Sequence, residues 1–218
     1  MASHDEEPLL DCWGLVLAGG RSTRFGTEKA EALWRGRTLL AHVAGRLREV
    51  CPKVIAVVRP EQSAEGWPVD AVVHDDTDAP EGPLRGIVAG LRACQAPYAF
   101  VTACDTPCLA SGLVRLLYKR ARPDTIAAMP EWGGYPQPLT ALYNTGFTAF
   151  LAGRLAAGER SPRWLLDGKA GAAAGVGVCA IVPARELRRI DPDGLSFRNV
   201  NTPRELAALD AWLERPGR

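Results

Sequence analysis

Between Leu17 and Lys29 the chain reads Leu17, Ala18, Gly19, Gly20, Arg21, Ser22, Thr23, Arg24, Phe25, Gly26, Thr27, Glu28, Lys29. Glycine has no Cβ, so Gly19, Gly20 and Gly26 let the main chain approach a ligand closely and turn successive N–H groups towards an anion. Arg21, Arg24 and Lys29 add three cations to the same loop. Such a loop suits a triphosphate. Its spacing is neither the Walker A pattern nor the Rossmann G-x-G-x-x-G.

Two carboxylate-bearing segments complete the chemistry. Cys104, Asp105, Thr106 and Pro107 follow the apolar run Tyr98 to Ala103. A carboxylate at the carboxyl end of a central parallel strand lies in the crevice where open α/β sheets bind ligands. Paired with a phosphate loop, and without the histidines or cysteine pairs that would complete a transition-metal site, Asp105 suits a hard, oxygen-loving Mg²⁺ that takes its other ligands from water and substrate phosphates. Asp75, Asp76, Thr77 and Asp78, followed by Gly82, Pro83, Leu84, Arg85 and Gly86, also leave a strand and enter a helix. Their acidic groups suit a nucleoside or ribose, with Asp75 the first choice, and the helix start adds partial positive charge.

These residues need a sheet edge to converge on, and the apolar pattern supplies one. Strands are expected at Trp13–Leu17, Val54–Val58, Val69–Val73 and Tyr98–Ala103, alternating with amphipathic helices at Thr38–Val50 and Pro83–Ala93. Beyond them the pattern predicts a helix over Ser111–Arg120 and strands at Thr125–Ala128 and Gln137–Tyr143, the two strands flanking a turn at Trp132, Gly133 and Gly134. A helix capped by Asn144 runs to Ala157, and strands follow at Val176–Val182 and Phe197–Val200. Gly158 to Ala174 reads as a mobile loop around a short helical piece at Pro162–Asp167. Thr202 and Pro203 open a last helix to about Leu213, with Glu205 in capping-box position. The alternation of strands and helices predicts an α/β fold with a mostly parallel sheet, in one domain over residues 10–215 behind a loose tail, residues 1–9.

With 218 residues and 26 Lys and Arg against 25 Asp and Glu, the balance of charge gives no reason to expect a nucleic-acid partner. No apolar run reaches the roughly 18 residues of a membrane span, and the polar, acidic start is unlike a secretion signal. A cytoplasmic protein with no membrane partner is the expectation. The six cysteines are scattered without a C-x-x-C pair and read as reduced, packed thiols.

Taken in order, Leu17 to Lys29, Asp75 with Gly82 and Pro83, Cys104 to Pro107, Gly158 to Arg160, and Asn199, Val200, Asn201, Thr202, Pro203 resemble the molybdenum cofactor guanylyltransferase family over nearly the whole chain. The resemblance implies a Rossmann-like three-layer α/β/α sandwich of the nucleotide-diphospho-sugar-transferase kind. It implies GTP and molybdenum-bound molybdopterin as substrates, GMP transfer with loss of pyrophosphate, Mg²⁺ as cofactor, and passing contacts with other cofactor-biosynthesis proteins and acceptor molybdoenzymes.

By position, Leu17, Ala18, Gly19 and Gly20 would line the nucleotide, and Lys29, with Arg24, would neutralise its phosphates. Asp75, Gly82 and Pro83 would meet the nucleoside and Asp105 the metal, while Asn199, Asn201, Arg160 and Arg163 would face the pterin. The chain departs from the family at two places. Val57, Val58, Arg59 stands where an asparagine often ends the second strand, and Tyr135, Pro136, Gln137, Pro138 replaces a more usual His and Pro pairing. A related enzyme using CTP or another phosphate acceptor, or a non-catalytic nucleotide-binding protein, is the competing reading.

Overall fold

The computed structural model describes residues 7–20, 28–167 and 175–215. Its first strand, β1 (Cys12–Leu17), alternates as a strand buried on both sides must. Cys12 and Val16 enter one apolar cluster, while Trp13, Leu15 and Leu17 join the cluster on the opposite face. A small hairpin, β2 (Leu33–Trp34) and β3 (Arg37–Thr38), leads into α1 (Leu39–Arg48). Thr38 caps that helix by accepting the Ala41 N–H at 3.1 Å. Then come β4 (Val54–Val58), β5 (Ala71–His74), α2 (Pro83–Ala93) and β6 (Tyr98–Ala103). The rest comprises α3 (Ser111–Tyr118), β7 (Thr125–Trp132), β8 (Tyr135–Pro136), β9 (Ala141–Asn144), α4 (Thr148–Ala156), β10 (Val178–Val182), α5 (Ala184–Leu187) and α6 (Pro203–Leu213).

Among the described residues the main sheet runs β10, β7, β9, β6, β1, β4, β5, with β8 paired to β7 at its side. β5, β4, β1 and β6 are mutually parallel. β9 is antiparallel to both its neighbours, and β10 returns to a parallel pairing with β7. Helices cover both faces: α1 and α3 supply Leu40, Val43, Leu47, Leu113 and Leu117 to one cluster, and α2 and α4 supply Leu84, Ile87, Leu91, Leu151 and Leu155 to the other. This is the expected three-layer α/β arrangement. Because β1 lies between β4 and β6, the segments leaving all three open on the same carboxyl edge.

Several boundaries differ from the sequence expectation, two of them for a clear local reason. β7 runs on to Trp132 because Gly133 and Gly134, with φ of 63° and 83°, close a hairpin onto β8. The strand expected at Gln137 begins only at Ala141, since Pro136 and Pro138 have no N–H for a ladder and the intervening residues turn, Thr140 N–H donating to the Gln137 carbonyl at 3.1 Å. The strand expected at Val69 is shifted to Ala71–His74, and that at Val176 starts at Val178.

Phe197–Val200 is not a strand. Leu195–Phe197 is a single 3₁₀ turn, held by the Asp191 carboxylate, which accepts the Leu195 and Ser196 N–H groups at 2.9 and 2.7 Å. Val200 N–H donates to the Asp105 carbonyl at 2.9 Å. The segment therefore lies across the sheet edge instead of extending it. The N-terminus of α6 keeps half of the expected capping box: Thr202 Oγ1 accepts the Glu205 N–H, but the Glu205 carboxylate accepts the N–H of Asn201, one residue before the cap.

Candidate active site

Two cavities open on the carboxyl edge. The smaller, about 320 Å³, is walled by Leu17 at the end of β1 with Gly19 and Gly20 after it, Val57 in β4 with Arg59 after it, Asp75 after β5, Gly82, Pro83, Arg85 and Gly86 at the start of α2, and Lys29. The larger, about 890 Å³, lies beyond β6 under the loop Tyr135–Thr140, with Ser161, Arg163, Phe197 and Asn199 on its far wall. Pro83, Ala103, Asp105 and Leu139 line both. Asp105 thus stands at the seam of a two-part cleft.

Asp105 follows β6, the strand beside β1, and the pairing carries through to the Cys104 N–H, which donates to the Leu17 carbonyl at 3.1 Å. That one bond sets the acidic turn against the glycine-rich segment. The Lys29 ammonium donates to Asp105 Oδ2 at 2.5 Å and to Asn201 Oδ1 at 2.6 Å. Three distant segments meet on one nitrogen. Both side chains of the ion pair are 13% exposed, so the charges sit at the cavity wall where screening by water is reduced.

Asp105 Oδ1 is buried with no hydrogen-bond partner among the described residues. An orphan carboxylate oxygen fits a hard dication. No group of three or more His, Cys, Asp or Glu that could hold a metal gathers among the described residues, so such an ion would draw most of its ligands from water and substrate oxygens, as Mg²⁺ does. Burial, with the Asp105 charge adding to it, pushes the neighbouring Cys104 thiol up to about 12. That sulfur stays protonated at neutral pH and is no nucleophile.

Asp75 pairs with Arg85 at 3.0 Å, and its second oxygen is buried without a partner. Burial holds its pKa above the ordinary carboxylate range although the Arg85 charge works against the shift. The smaller cavity thus presents an acceptor and a donor side by side, the pattern a polar nucleobase edge or ribose demands.

The residues singled out in the sequence fall into distinct places. Leu17, Gly19, Gly20, Lys29, Asp75, Gly82, Pro83 and Asp105 line the smaller cavity, and Asn199 and Arg163 the larger. Asn201 reaches the site through Lys29. Ala18 is set back from both: it is buried, its N–H donates to the Val57 carbonyl at 2.8 Å, and its carbonyl accepts from Gln62 at 3.2 Å. Both its backbone groups are already used by the fold. The Arg160 side chain is exposed and is not among those lining either cavity; its carbonyl instead accepts the Leu84 N–H at 3.0 Å, capping α2. Arg24 lies outside the described residues.

Arg59 and Arg85 escaped assignment from sequence. Arg59 binds the Gly19 carbonyl at 3.0 Å, Glu28 at 2.6 Å and Glu61 at 2.9 Å. Burial works against its charge, but the hydrogen bonds to Glu28 and Glu61 outweigh it and hold the guanidinium above its ordinary range. Arg59 therefore ties down both flanks of the glycine-rich loop. Its place where a strand ends in Val57, Val58 was the only signal available.

A family model described as MobA-like NTP transferase domain matches residues 14–173. The chain belongs to this family. A probable molybdenum cofactor guanylyltransferase of Deinococcus radiodurans is 35% identical over 209 residues, covering 92% of this chain and 95% of its own. Among solved structures, molybdopterin-guanine dinucleotide biosynthesis protein A from Archaeoglobus fulgidus superimposes with a TM-score of 0.75 at 26% identity, over 92% of this chain and 98% of that one. The 2-C-methyl-D-erythritol 4-phosphate cytidylyltransferase of Thermus thermophilus matches with a TM-score of 0.65 at 16% identity, covering 92% and 98%. That likeness shows the shared fold alone, the nucleotide-diphospho-sugar transferase fold. MobA-like family membership makes the chain a nucleotidyltransferase of molybdenum cofactor biosynthesis. No helix among the described residues is long and apolar enough to cross a membrane.

Proposed function

We propose that the chain joins GMP from GTP to the terminal phosphate of molybdenum-bound molybdopterin, forming the guanine dinucleotide cofactor and releasing pyrophosphate. The observation that carries this reading is the Lys29–Asp105 contact of 2.5 Å at the seam of two cavities, in a chain whose relatives bear the guanylyltransferase name. GTP occupies the smaller cavity and the pterin the larger. The acceptor phosphate attacks the α-phosphorus in line, a new P–O bond forms, and the bond from the α-phosphorus to the bridging oxygen breaks with pyrophosphate departing opposite.

A phosphate at neutral pH is already a sufficient nucleophile, so the barrier is charge crowding and alignment. Lys29 exchanges its contact with Asp105 for the triphosphate, and Asn201 keeps the ammonium oriented. Mg²⁺ held by Asp105 would neutralise phosphate charge as a Lewis acid. Asp75 and Arg85 receive the nucleoside, and Asn199 and Arg163 face the acceptor. The enzyme acts as one domain over residues 10–215, in the cytoplasm, in passing contact with the enzymes that make the pterin and the molybdoenzymes that take the product.

The test is a mass spectrum of the product made by purified protein from GTP, Mg²⁺ and molybdenum-loaded molybdopterin, with pyrophosphate assayed in parallel. The guanine dinucleotide is expected, and pyrophosphate only when both substrates are present. Preference for CTP over GTP in competition, or saturable GTP binding without product, overturns the reading.

A further inference from the structure

Phe197 lines the larger cavity and is already stacked from behind. Its ring lies against Trp132 with centroids 5.2 Å apart and planes inclined by 21°. Trp132 is itself fixed: the Arg188 guanidinium sits 4.8 Å from its ring centroid, and Gly194 approaches so closely that a Cβ there would fall 2.1 Å from the indole. Gly194 has φ of +66° and its carbonyl accepts the Phe197 N–H at 3.0 Å. The glycine packed on Trp132 thus also shapes the turn that carries Phe197. With the Asp191 carboxylate holding that turn by two N–H groups, little freedom remains for the ring to lose when a ligand meets it.

Aromatic rings prefer offset parallel partners, and a flat heterocycle with polar edges needs a face to lie on and hydrogen-bonding groups around its rim. The cavity offers both, since Asn199, Gln137, Thr140 and Arg163 line it together with Phe197. We infer that Phe197 is the stacking platform for the planar heterocycle of the acceptor, and that the column Phe197, Trp132, Arg188 selects an acceptor bearing a fused flat ring over sugar or simple alcohol phosphates. This rests on the acceptor being a pterin, as proposed above.

The experiment titrates pterin-6-carboxylate, whose own fluorescence is quenched by stacking, into the wild type and into Phe197→Ala, Phe197→Tyr and Phe197→Trp, with GTP affinity measured by calorimetry on the same preparations. Base stacking on an aromatic side chain is worth about 1–3 kcal/mol, so Phe197→Ala should bind the pterin roughly five- to 150-fold more weakly. The Tyr and Trp variants should restore binding and quenching, and GTP affinity should be the same in all four proteins. Wild-type failure to bind the pterin overturns the inference. So does unchanged binding in Phe197→Ala, failure of both aromatic replacements, or a parallel loss of GTP affinity that would mark the ring as structural. Should the wild type bind the pterin through Phe197 yet form no GMP conjugate, the platform stands and only the proposed reaction falls.

Discussion

Gly82 lies directly against the carbonyl of Arg160: a Cβ at position 82 would meet that oxygen at 2.4 Å. The same carbonyl accepts the Leu84 N–H at 3.0 Å, so a bare α-carbon lets a distant loop cap the helix that walls the smaller cavity. Gly82→Ala should force the loop off the helix, leaving that donor unpaired at a cost of about 1–3 kcal/mol. A lowered melting temperature together with weakened GTP binding is expected; a melting curve like the wild type's would show that the loop yields freely.

If the proposed reaction holds, Lys29 and Asp105 should answer for rate more than for folding. Asp105→Asn keeps an oxygen to accept from Lys29 but removes the charge, so it should fold as the wild type does and lose about 10²-fold or more in turnover. Lys29→Ala should lose a comparable factor and also some stability, because Asp105 then lacks its partner. Turnover within a fewfold of wild type in either purified variant would remove that residue from the chemistry.

Arg59 gathers the Gly19 carbonyl and Glu28 on one guanidinium. Arg59→Gln frees both flanks of the loop, and the expected result is a higher KM for GTP, about tenfold for a lost charge-assisted contact near 1.4 kcal/mol, with the acceptor KM unmoved. Arg59→Lys, which lacks the planar fork, should rescue only part of the loss. Equal changes in both KM values would contradict a role confined to the nucleotide side.

Asp75 titrates above the ordinary carboxylate range because burial disfavours its charge, with Arg85 opposing the shift. The folded protein therefore holds this proton to higher pH than the unfolded chain does. Its contribution to stability is fully present below the unfolded pKa and is lost as pH rises through the raised folded value. Arg85→Gln removes the opposing charge, so an NMR titration of the Asp75 carboxyl carbon should move further upward. A downward move or none would show that Arg85 does not set this carboxylate.

Much of the α/β alternation could be read from the chain, because β1, β4 and β6 are short apolar runs between strong turn signals and α2 carries its apolar stripe at helical spacing. Those patterns are local and come from side-chain periodicity alone. Strand ends and irregular joins were less legible. Phe197–Val200 has the composition of a strand, yet Asp191 and the Asp105 carbonyl take N–H groups in and beside it, and no local pattern announces partners so far away.

The same division holds for the site. Residue types and spacing alone marked Gly19, Gly20, Lys29, Asp75 and Asp105 as one candidate site, since small residues admit a close backbone and charged ones suit a polyanion, and all five line the smaller cavity. Which groups meet was decided by the tertiary structure: strand order set β6 beside β1 and so Asp105 beside Lys29, withdrew Ala18 beneath the cavity, turned Arg160 into a helix cap, and stood Phe197 on Trp132. Contacts between distant segments depend on sheet order and loop packing, and these follow from the burial of the whole core.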